Sequence, residues 1–567
     1  MGDTRARSQI KGAPMWLLLM ELRAPLVTLI LTYALSVLGL VLIPGETTAG
    51  EPYAVSFLDA FYIVSYTATT IGYGEIPYAF TETQRLWMLF VMYATVIAWL
   101  YSIGSVFSVL SDPKFRRLRA HQRTVSRIHH HKFPFWVLCG FGGAGSQLIR
   151  FLDQSGIRCV VVDDNQTRTD TARLSDLSYE VDVITGDVAE PQTLVDAGVT
   201  HSRCRGVLAL TDQNQVNLTV ATNVRILAPR LPVYARSSDD ANTRNLRSFD
   251  TEVVVDPDRT ATHSLVQLIQ RPNAYAIYHE LVDPDLNRLQ LISIPDDGHW
   301  IVCASGRLAR IIVDAFNHHD VRYCLVSPEP VEAAIRWVAG LGTEASTLRD
   351  ADVDGASGII AATEDDGDNL SILLTAQAEH PKLVTIARRN RPTSEPVFSQ
   401  GDFSVVLREG RLIAQELFAR IQTPLLHEFL GQLESMPEPL VAGIFERLAA
   451  RRTDQDAELS HFAVHLVETQ APGVIEALAH GSSIPLRVLL SDPGDGHRQL
   501  PAICLLVRRL NGDLIPFPGE GCGLQEGDEL LIWGEVGVRG RIDWLLGRQD
   551  IFESVLSKVM KSSTSHS

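Results

Sequence analysis

A short glycine-containing loop lies between two long uncharged segments, and this arrangement constrains the fold more than any other feature. The loop, at 67–74, reads TATTIGYG, and the uncharged segments cover 24–43 and 86–110. At about 1.5 Å of rise per residue, twenty helical residues span about 30 Å, the thickness of a hydrocarbon core. The sequence therefore predicts two transmembrane helices with a loop between them.

Residues 56–68 are apolar enough for a short re-entrant helix that leads into the loop. Non-helical backbone at membrane depth is tolerated only where protein encloses it or where it lines a water-filled path. Gly72 and Gly74 adopt left-handed backbone angles at little cost, so that successive carbonyls can point to one axis. Ile71 and Tyr73 can then pack outward. We therefore predict an ion filter formed by Thr70, Ile71, Gly72, Tyr73 and Gly74.

Basic residues mark the cytoplasmic side of a membrane protein. They precede the first segment and follow the second, whereas the connecting segment has five acidic residues and no Lys or Arg before Arg85. We therefore expect both termini in the cytoplasm. One loop cannot surround an ion, so four chains must assemble as a homotetramer in the bilayer. The basic residues are Arg5, Arg7, Lys11, Arg23, Lys114, Arg116, Arg117 and Arg119.

The region after the second segment is long, acidic and globular in composition. It has about 450 residues, more than one ordinary domain needs. The net charge of the chain, −17, argues against nucleic acid as a partner. The seven cysteines form no CxxC pair, which favours buried thiols in a reducing compartment. The histidines at 129–131 are interpreted as a polar connector, because no Cys or carboxylate lies beside them at metal-ligand spacing.

An internal repeat organises this region. WVLC at 136–139 matches WIVC at 300–303, and Thr211 with Asn-Leu at 217–218 matches Thr363 with Asn-Leu at 369–370. Both copies alternate strands and helices, which implies parallel sheets with right-handed crossovers. Two related α/β units are therefore expected.

The first copy carries a glycine-rich turn between a strand and a helix, GFGGAG at 140–145. Gly140 permits the tight turn, Gly142 lets the backbone approach a pyrophosphate, and Gly145 allows close packing of helix on strand. The free N–H groups of the helix N-terminus favour phosphate. Within this turn we predict nucleotide contacts from Gly140, Phe141, Gly142, Gly143 and Gly145.

The second strand of the first copy ends in Asp163 and Asp164, about twenty residues after the turn, where a carboxylate can hold ribose hydroxyls. The second copy lacks most of the turn glycines and the acidic residue. It reads ASGRLA at 304–309, with Gly306 as the one glycine, and Ser327 stands at the offset of Asp163. We expect the first copy to bind a nucleotide, with the alternative that its glycines serve packing only. The second copy is interpreted as structural.

The loop resembles the selectivity filter of potassium channels, with Ile71 where many members carry Val and Glu75 where many carry Asp. With the tandem units, almost the whole chain resembles the prokaryotic two-span potassium channels that carry two RCK (regulator of potassium conductance) domains. The resemblance implies a membrane α-helical pore of two transmembrane helices and a pore helix. Two α/β Rossmann-like RCK domains and a small α+β C-terminal lobe follow.

Further residues carry the resemblance. Gly186 and Asp187 resemble a family pair that usually lies near adenosine, Thr211 lies in its fourth-strand signature, and Arg236 is placed to face phosphate. The resemblance implies a ring of eight RCK units that pulls on the pore. Gly104 is then the expected gating hinge. A second explanation of this glycine fits equally well, namely that close helix packing needs a small residue there.

The expected parts are an N-terminus at 1–23, a pore at 24–110, a gating linker at 111–133, RCK domains at 134–298 and 299–423, and a C-terminal lobe at 424–567.

The resemblance implies a K⁺ channel of a bacterial inner membrane, gated by NAD or ADP. A Ca²⁺-gated channel with a purely structural Rossmann fold is the alternative. The acidic runs at 364–368 and 296–297 are candidate Ca²⁺ sites, although such loops are usually only solvated. An NAD-dependent oxidoreductase would need a proton donor and a substrate pocket, which are not evident. A regulatory subunit of a separate transporter would lack the pore. We therefore expect that the chain is neither an enzyme nor a regulatory subunit without a pore.

Overall fold

The computed structural model describes residues 22–111, 113–283, 291–295, 298–451, 459–496 and 498–564. They form two compact units, the first ending at Arg127 and the second beginning at Ile128. The basic residues Arg5, Arg7 and Lys11, used above for orientation, and the acidic pair at 296–297 lie outside the described residues.

The first unit is built from apolar helices. Helix α1 (Arg23–Leu42) and helix α3 (Glu82–Ser111) are each long and apolar enough to cross a membrane. They pack closely, because a Cβ added at Gly39 would lie 2.2 Å from the ring of Trp87. Between them lies the short helix α2 (Phe57–Ala68). The predicted spans and re-entrant helix thus appear in order. The remaining elements of this region are β1 (Gly45–Glu46), β2 (Pro52–Tyr53) and α4 (Pro113–Ile128).

The apolar faces of α1 and α3 are largely uncovered in the single chain. Only 22% and 28% of their most apolar windows are buried. A core helix of a water-soluble protein would be mostly buried, so these faces require lipid or other chains around them.

The second unit begins with a six-stranded parallel sheet in the order β5-β4-β3-β6-β7-β8. Its strands alternate with helices, which confirms the Rossmann-like interpretation of the first copy. The elements are β3 (Phe135–Cys139), α5 (Gly143–Gln154), β4 (Arg158–Asp163), α6 (Gln166–Leu174), β5 (Asp182–Thr185), α7 (Pro191–Asp196), β6 (Cys204–Ala209), α8 (Asn214–Leu227), β7 (Val233–Arg236), α9 (Asp240–Ser248), β8 (Val253–Val255), α10 (Pro257–Gln270) and α11 (Pro272–Val282).

A second parallel sheet repeats this topology in the order β11-β10-β9-β12-β13-β14. The elements are β9 (His299–Ala304), α12 (Gly306–His318), β10 (Tyr323–Ser327), β11 (Trp337–Ala339), α13 (Ala345–Asp350), β12 (Ala356–Ala362), α14 (Asp366–Glu379), β13 (Val384–Arg389), α15 (Glu395–Gln400), β14 (Val405–Arg408), α16 (Glu409–Gln422), α17 (Pro424–Ser435) and α18 (Glu438–Arg451), with 3₁₀ turns at Val353–Gly355 and Pro392–Ser394.

The same hydrogen-bond network recurs in both copies. Asn217 Oδ1 accepts from the backbone N–H of Thr211 at 3.0 Å, and Asn217 Nδ2 donates to the carbonyl of Arg236 at 2.9 Å. In the second copy Asn369 makes the equivalent bonds to Thr363 N–H (2.8 Å) and to the Arg388 carbonyl (2.9 Å). The matching Thr and Asn residues of the sequence repeat therefore tie the ends of two neighbouring strands to the helix between them.

The two copies exchange helices, which the linear boundaries at 298 and 423 do not reveal. Helix α16 follows the last strand of the second sheet, yet Leu417 and Phe418 lie in the core of the first sheet beside Phe151. Conversely, Leu265 of α10 lies in the core of the second sheet beside Trp300. Each Rossmann unit is thus completed by a helix of the other.

The chain ends in a small antiparallel sheet, in the order β15-β18-β16-β17, with helices packed on it. This is the expected α+β lobe. Its elements are β15 (Leu459–His465), α19 (Pro472–Ala479), a 3₁₀ turn at Leu486–Val488, β16 (Ala502–Arg508), β17 (Leu514–Pro516), β18 (Glu529–Glu535), α20 (Val538–Leu546) and α21 (Gln549–Thr564). All cysteines are free thiols, and every one except Cys522 is buried, as predicted.

Candidate functional site

The loop after α2 alternates between two backbone conformations. The φ angle is +60° at Thr70, +65° at Gly72 and +92° at Gly74, whereas Ile71 and Tyr73 between them keep negative φ. Such alternation turns successive peptide planes so that their carbonyls can line one side of the chain, as replacement of an ion's hydration shell requires. Glycine adopts these angles readily, but Thr70 is strained by about 1–2 kcal/mol.

The N–H groups of this loop bond back to α2. The N–H groups of Ile71 and Gly72 both donate to the carbonyl of Tyr66, at 2.9 and 3.4 Å. The N–H of Thr70 donates to the carbonyl of Thr67 at 3.1 Å. The carbonyls from Thr70 to Tyr73 accept no hydrogen bond from the residues that the structure describes. They are therefore available to a ligand.

Aromatic rings brace the outer end of the loop. The ring of Tyr73 stacks on Tyr62 with centroids 6.2 Å apart and meets Tyr66 edge-on at 5.7 Å. Beyond it, Glu75 is fixed by Arg85 (2.9 Å) and by the N–H of Phe80 (2.9 Å). Both the loop and the acidic group after it are thus held in place from within the chain.

Gly104, the predicted hinge, lies inside the uninterrupted helix α3. A Cβ added there would meet nothing within 4 Å in the single chain. Within one chain this glycine therefore makes no close helix contact that would require it.

The glycine turn of the first copy has the predicted geometry. A Cβ added at Gly140, where φ is +100°, would lie 2.9 Å from the N atom of Thr211. A Cβ at Gly145 would lie 2.1 Å from the carbonyl oxygen of Gly140. At Gly142 the nearest atom would be 3.7 Å away, on Asp212. Two glycines therefore serve the turn and its packing, whereas a Cβ at Gly142 would meet only the Asp212 carboxylate, at ordinary contact distance.

Asp163 lies beside this turn at the end of β4. Its Oδ2 accepts from the N–H of Phe141 at 2.7 Å, and its Oδ1 accepts from the N–H of Asn165 at 2.8 Å. The side chain is only 3% exposed, while the neighbouring Asp164 is exposed. Each carboxylate oxygen keeps a further lone pair, so Asp163 fits the role of a ribose acceptor next to the diphosphate position.

The other predicted nucleotide residues surround the same strand ends. The N–H of Gly186 donates to the Asp163 carbonyl at 3.0 Å, which places that backbone beside the acid. Asp187 is exposed, and its Oδ1 accepts from the N–H of Ala189. The hydroxyl of Thr211 donates to Asn217 at 2.7 Å, a bond repeated in the second copy, so this side chain has a structural role.

Arg236 does not face open space. Its guanidinium pairs with Asp212 (2.6 Å) and with Glu409 (2.5 Å), the first residue of the exchanged helix α16. Next to Glu409, Gly410 packs so closely that an added Cβ would lie 2.6 Å from the carbonyl carbon of Gly143. The second copy therefore contributes to the mouth of the first copy's site.

Sequence reasoning missed three charged residues of this mouth. Arg168 lies 3.7 Å from Asp163 and 3.8 Å from Asp212. Asp212 follows β6 and Arg168 follows β4, and ligand-binding residues of parallel sheets are expected at such strand ends. The positions of these two residues could therefore have been recognised in the sequence. The sequence gives no such signal for Glu409, because its position beside Arg236 depends on the exchange of helices between the two copies.

In the second copy Arg307 stands at the position of Gly143. Its guanidinium binds both Asp256 and Asp258, the latter at 2.8 Å, and reaches Asp240 at 3.2 Å. The hydrogen bond that Arg307 donates to Asp256, with those to Asp258 and Asp240, raises the pKa of Arg307. The turn of the second copy thus carries a guanidinium that is already bound by aspartates of the first copy.

The acidic run at 364–368 is used by the fold. Asp365 caps α14 by accepting from Gly367 N–H at 2.8 Å, and Asp366 accepts from the N–H groups of Asn390 and Arg391. Within the described ranges no group of three His, Cys, Asp or Glu side chains is arranged to hold a metal ion.

Of the three linker histidines, His129 and His130 are exposed, whereas His131 is anchored. His131 Nε2 lies 2.7 Å from Asp182 Oδ2 at the start of β5, and its ring meets Phe135 edge-on. Ile128, at the end of α4, is fully buried, and its side chain lies against Gly198. The end of the gating linker is therefore fixed to the first Rossmann unit.

Comparisons with known proteins agree with this division of the chain. The ion channel family model matches residues 25–112, and the TrkA-N domain model matches 136–257 and again 300–409. These ranges cover more than half of the chain. The chain therefore belongs to the ion channels that carry TrkA-N, or RCK, domains.

Individual relatives are distant. The "Voltage-gated potassium channel Kch" of Escherichia coli (strain K12) is 26% identical over 221 residues, which are 39% of this chain and 51% of the relative. "Potassium channel protein 1" of Methanocaldococcus jannaschii is 22% identical, over 40% of this chain and 66% of the relative. The chain thus spans about half to two thirds of these relatives. A solved structure described as "GsuK channel bound to NAD" is 17% identical, with a TM-score of 0.46, over 94% of this chain and 100% of that one.

Proposed function

We propose that this protein is a K⁺-selective channel whose cytoplasmic RCK domains regulate conduction by binding a nucleotide, NAD or ADP. The observation that carries the proposal is the alternation of positive φ at Thr70, Gly72 and Gly74 between two membrane-length apolar helices. No folded element needs such alternation, whereas a ladder of carbonyls around an ion does.

The working assembly is a homotetramer in a bacterial inner membrane, with both termini in the cytoplasm. One loop offers carbonyls on one side only, so four loops are required to enclose an ion. The apolar faces of α1 and α3 supply the surface for the other subunits and for lipid.

The nucleotide site is the glycine turn of the first copy. Gly142 leaves room for a diphosphate at the N-terminus of α5, where free N–H groups and the helix dipole favour an anion. Asp163 accepts from the ribose hydroxyls. A regulatory role is proposed for the nucleotide, because the mouth of the site includes Glu409 of the exchanged helix.

Regulation follows from the neighbours of this site. A ligand shifts a closed–open equilibrium only through different affinity for the two states. The mouth of the site includes Glu409 of the exchanged helix, so its shape depends on how the two copies are arranged. The linker end at Ile128 and His131 is fixed to the same Rossmann unit, and bending at Gly104 would let the linker act on the pore.

The test is electrical. The purified protein is reconstituted in planar bilayers with opposite gradients of K⁺ and Na⁺, both ions being present on each side, and the reversal potential is measured with and without NAD or ADP on the RCK side. A reversal potential near that of K⁺, with open probability that depends on nucleotide, is expected. A potential that does not distinguish K⁺ from Na⁺ would overturn the proposal.

A further inference from the structure

A crevice of about 680 Å³ opens in the second unit, where α9, α10, α16 and α17 meet. We name it the arginine crevice after the four arginines that line it, Arg244, Arg247, Arg259 and Arg420. None of the glycine-turn residues at 140–145 lines it. Cavities of roughly 300–1,000 Å³ are the usual size for small-molecule sites.

Two of its acidic groups are committed to other partners. Asp256 caps α10 by accepting from the N–H groups of Asp258 and Arg259, and it binds Arg307. Asp240 pairs with Arg307 at 3.2 Å and with Arg259 at 3.4 Å. These pairings lower the pKa of Asp240, with the Arg307 hydrogen bond as the main cause. Neither carboxylate is left to bind a cation in the crevice.

The other two acidic groups are also paired. Glu416 accepts from the hydroxyl of Thr260 at 2.7 Å. Glu434 is bound by His263 at 3.1 Å and by Gln267 at 3.0 Å, and this contact raises the pKa of His263. All four carboxylates of the crevice thus already have internal donors.

Arg259 pairs with Asp240 and Asp256, but the other three arginines are not saturated in this way. Arg244 and Arg247 lie one turn apart on α9 and form no ion pair with any residue in the described part of the chain. Arg420 reaches Glu416 only at 3.6 Å, and its buried Nε finds no hydrogen-bond acceptor among the described residues. Burial and the charge of Arg420 lower the pKa of His427, which leaves a neutral ring beside these arginines. Within the described residues, the unpaired donors of the crevice are therefore those of Arg244 and Arg247 and the Nε of Arg420, whose Nη1 lies 3.3 Å from His427 Nε2.

The crevice is lined by four arginines and four carboxylates, so its charges balance in number. The carboxylates also bind Arg307, Thr260, His263 and Gln267, which leaves Arg244 and Arg247 without ion pairs within the described residues. Guanidinium groups match phosphate and carboxylate oxygens with parallel hydrogen bonds.

We propose that the arginine crevice is a second ligand site, which binds a small anion with two or more negative charges of the phosphate or carboxylate type. The site is formed by helices of both copies, since α10 comes from the first and α16 and α17 follow the second. It is independent of the nucleotide site, and the inference does not rest on nucleotide binding.

Isothermal titration of the full-length detergent-solubilised protein tests the proposal. A Gly142→Trp background blocks the proposed diphosphate position, and a Cβ at Gly142 would make only ordinary contacts with the Asp212 side chain. Inorganic pyrophosphate and citrate serve as probes of the two anion types. We expect saturable binding of at least one of them. Binding of pyrophosphate would indicate recognition of phosphate groups, and binding of citrate would indicate recognition of carboxylates.

The decisive variant is R244Q/R247Q, compared with R205Q/R230Q, which removes two exposed arginines of the first copy that do not line the crevice. Loss of two charge-assisted contacts should weaken anion binding by R244Q/R247Q about tenfold or more. The control R205Q/R230Q should bind the anion as tightly as the background protein. The proposal is wrong if neither probe binds saturably, or if both double variants weaken binding equally. All four positions are exposed, so both variants are expected to fold.

Discussion

The hydroxyl of Tyr66, in the pore helix α2, donates a hydrogen bond to the carbonyl of Gly74 at the outer end of the filter. This bond engages the one filter carbonyl that lies beyond Tyr73. The carbonyls that accept no hydrogen bond within the described residues therefore run from Thr70 to Tyr73. The bond between Tyr66 and Gly74 holds the outer end of this row of carbonyls in place.

Replacing Tyr66 by Phe should reduce selectivity, because the outer end of the ladder loses its tie to α2. One hydrogen bond contributes about 1 kcal/mol, which corresponds to roughly a fivefold fall in the K⁺/Na⁺ permeability ratio. Tyr62→Phe is the matched control, since Tyr62 contacts Tyr73 through its ring and keeps that stacking. Reversal potentials in mixed K⁺ and Na⁺ measure both. Equal selectivity in the two variants would contradict the bracing role of Tyr66.

Gly72→Ala should abolish selective conduction. A side chain at φ +65° opposes the backbone that aims the carbonyls, at a cost of about 1–2 kcal/mol per filter strand. Gly50→Ala is the control, because Gly50 also has positive φ (+80°) and free space but lies outside the filter. Flux through tetramers of equal yield is the measurement. Unchanged selectivity in Gly72→Ala would show that the filter assignment is wrong.

Asp163→Ala should weaken binding of NAD or ADP by about 1–3 kcal/mol, the usual scale for hydrogen bonds to a charged group. Calorimetry on the solubilised protein measures it. Ser327→Ala is the control at the equivalent position of the second copy, where Arg307 fills the turn, and should bind nucleotide normally. If Ser327→Ala loses the nucleotide while Asp163→Ala keeps it, the two copies have been assigned the wrong way round.

Phe418→Ala should destabilise the first copy, although Phe418 follows the second copy in sequence. The side chain is 1% exposed and meets Phe151 edge-on at 5.7 Å, and truncation of such a residue costs about 3–5 kcal/mol. Hydrogen exchange should speed up in α5 more than in α12. The control Val397→Ala, on an exposed position of α15, should leave exchange unchanged. Faster exchange confined to the second sheet would contradict the helix exchange.

Local sequence patterns predicted the elements well. Uncharged length located α1 and α3, and the glycine spacing located the loop of alternating φ angles and the turn beside Asp163. Contacts between elements far apart in sequence could not be predicted. The apolar pattern of α16 shows a buried face without showing which sheet covers it, so Glu409 beside Arg236 stayed hidden. The aspartate partners of Arg307 were hidden for the same reason, because they come from the other copy.

The central claim is that one chain is both the K⁺ pore and the nucleotide sensor. It is tested most directly by K⁺ flux into liposomes that contain either the natural protein or Gly142→Trp, with increasing NAD or ADP on the RCK side. The account predicts K⁺-selective basal flux in both proteins and a nucleotide response in the natural protein alone. An identical nucleotide response in Gly142→Trp, or the absence of K⁺ flux from the natural protein, would contradict it.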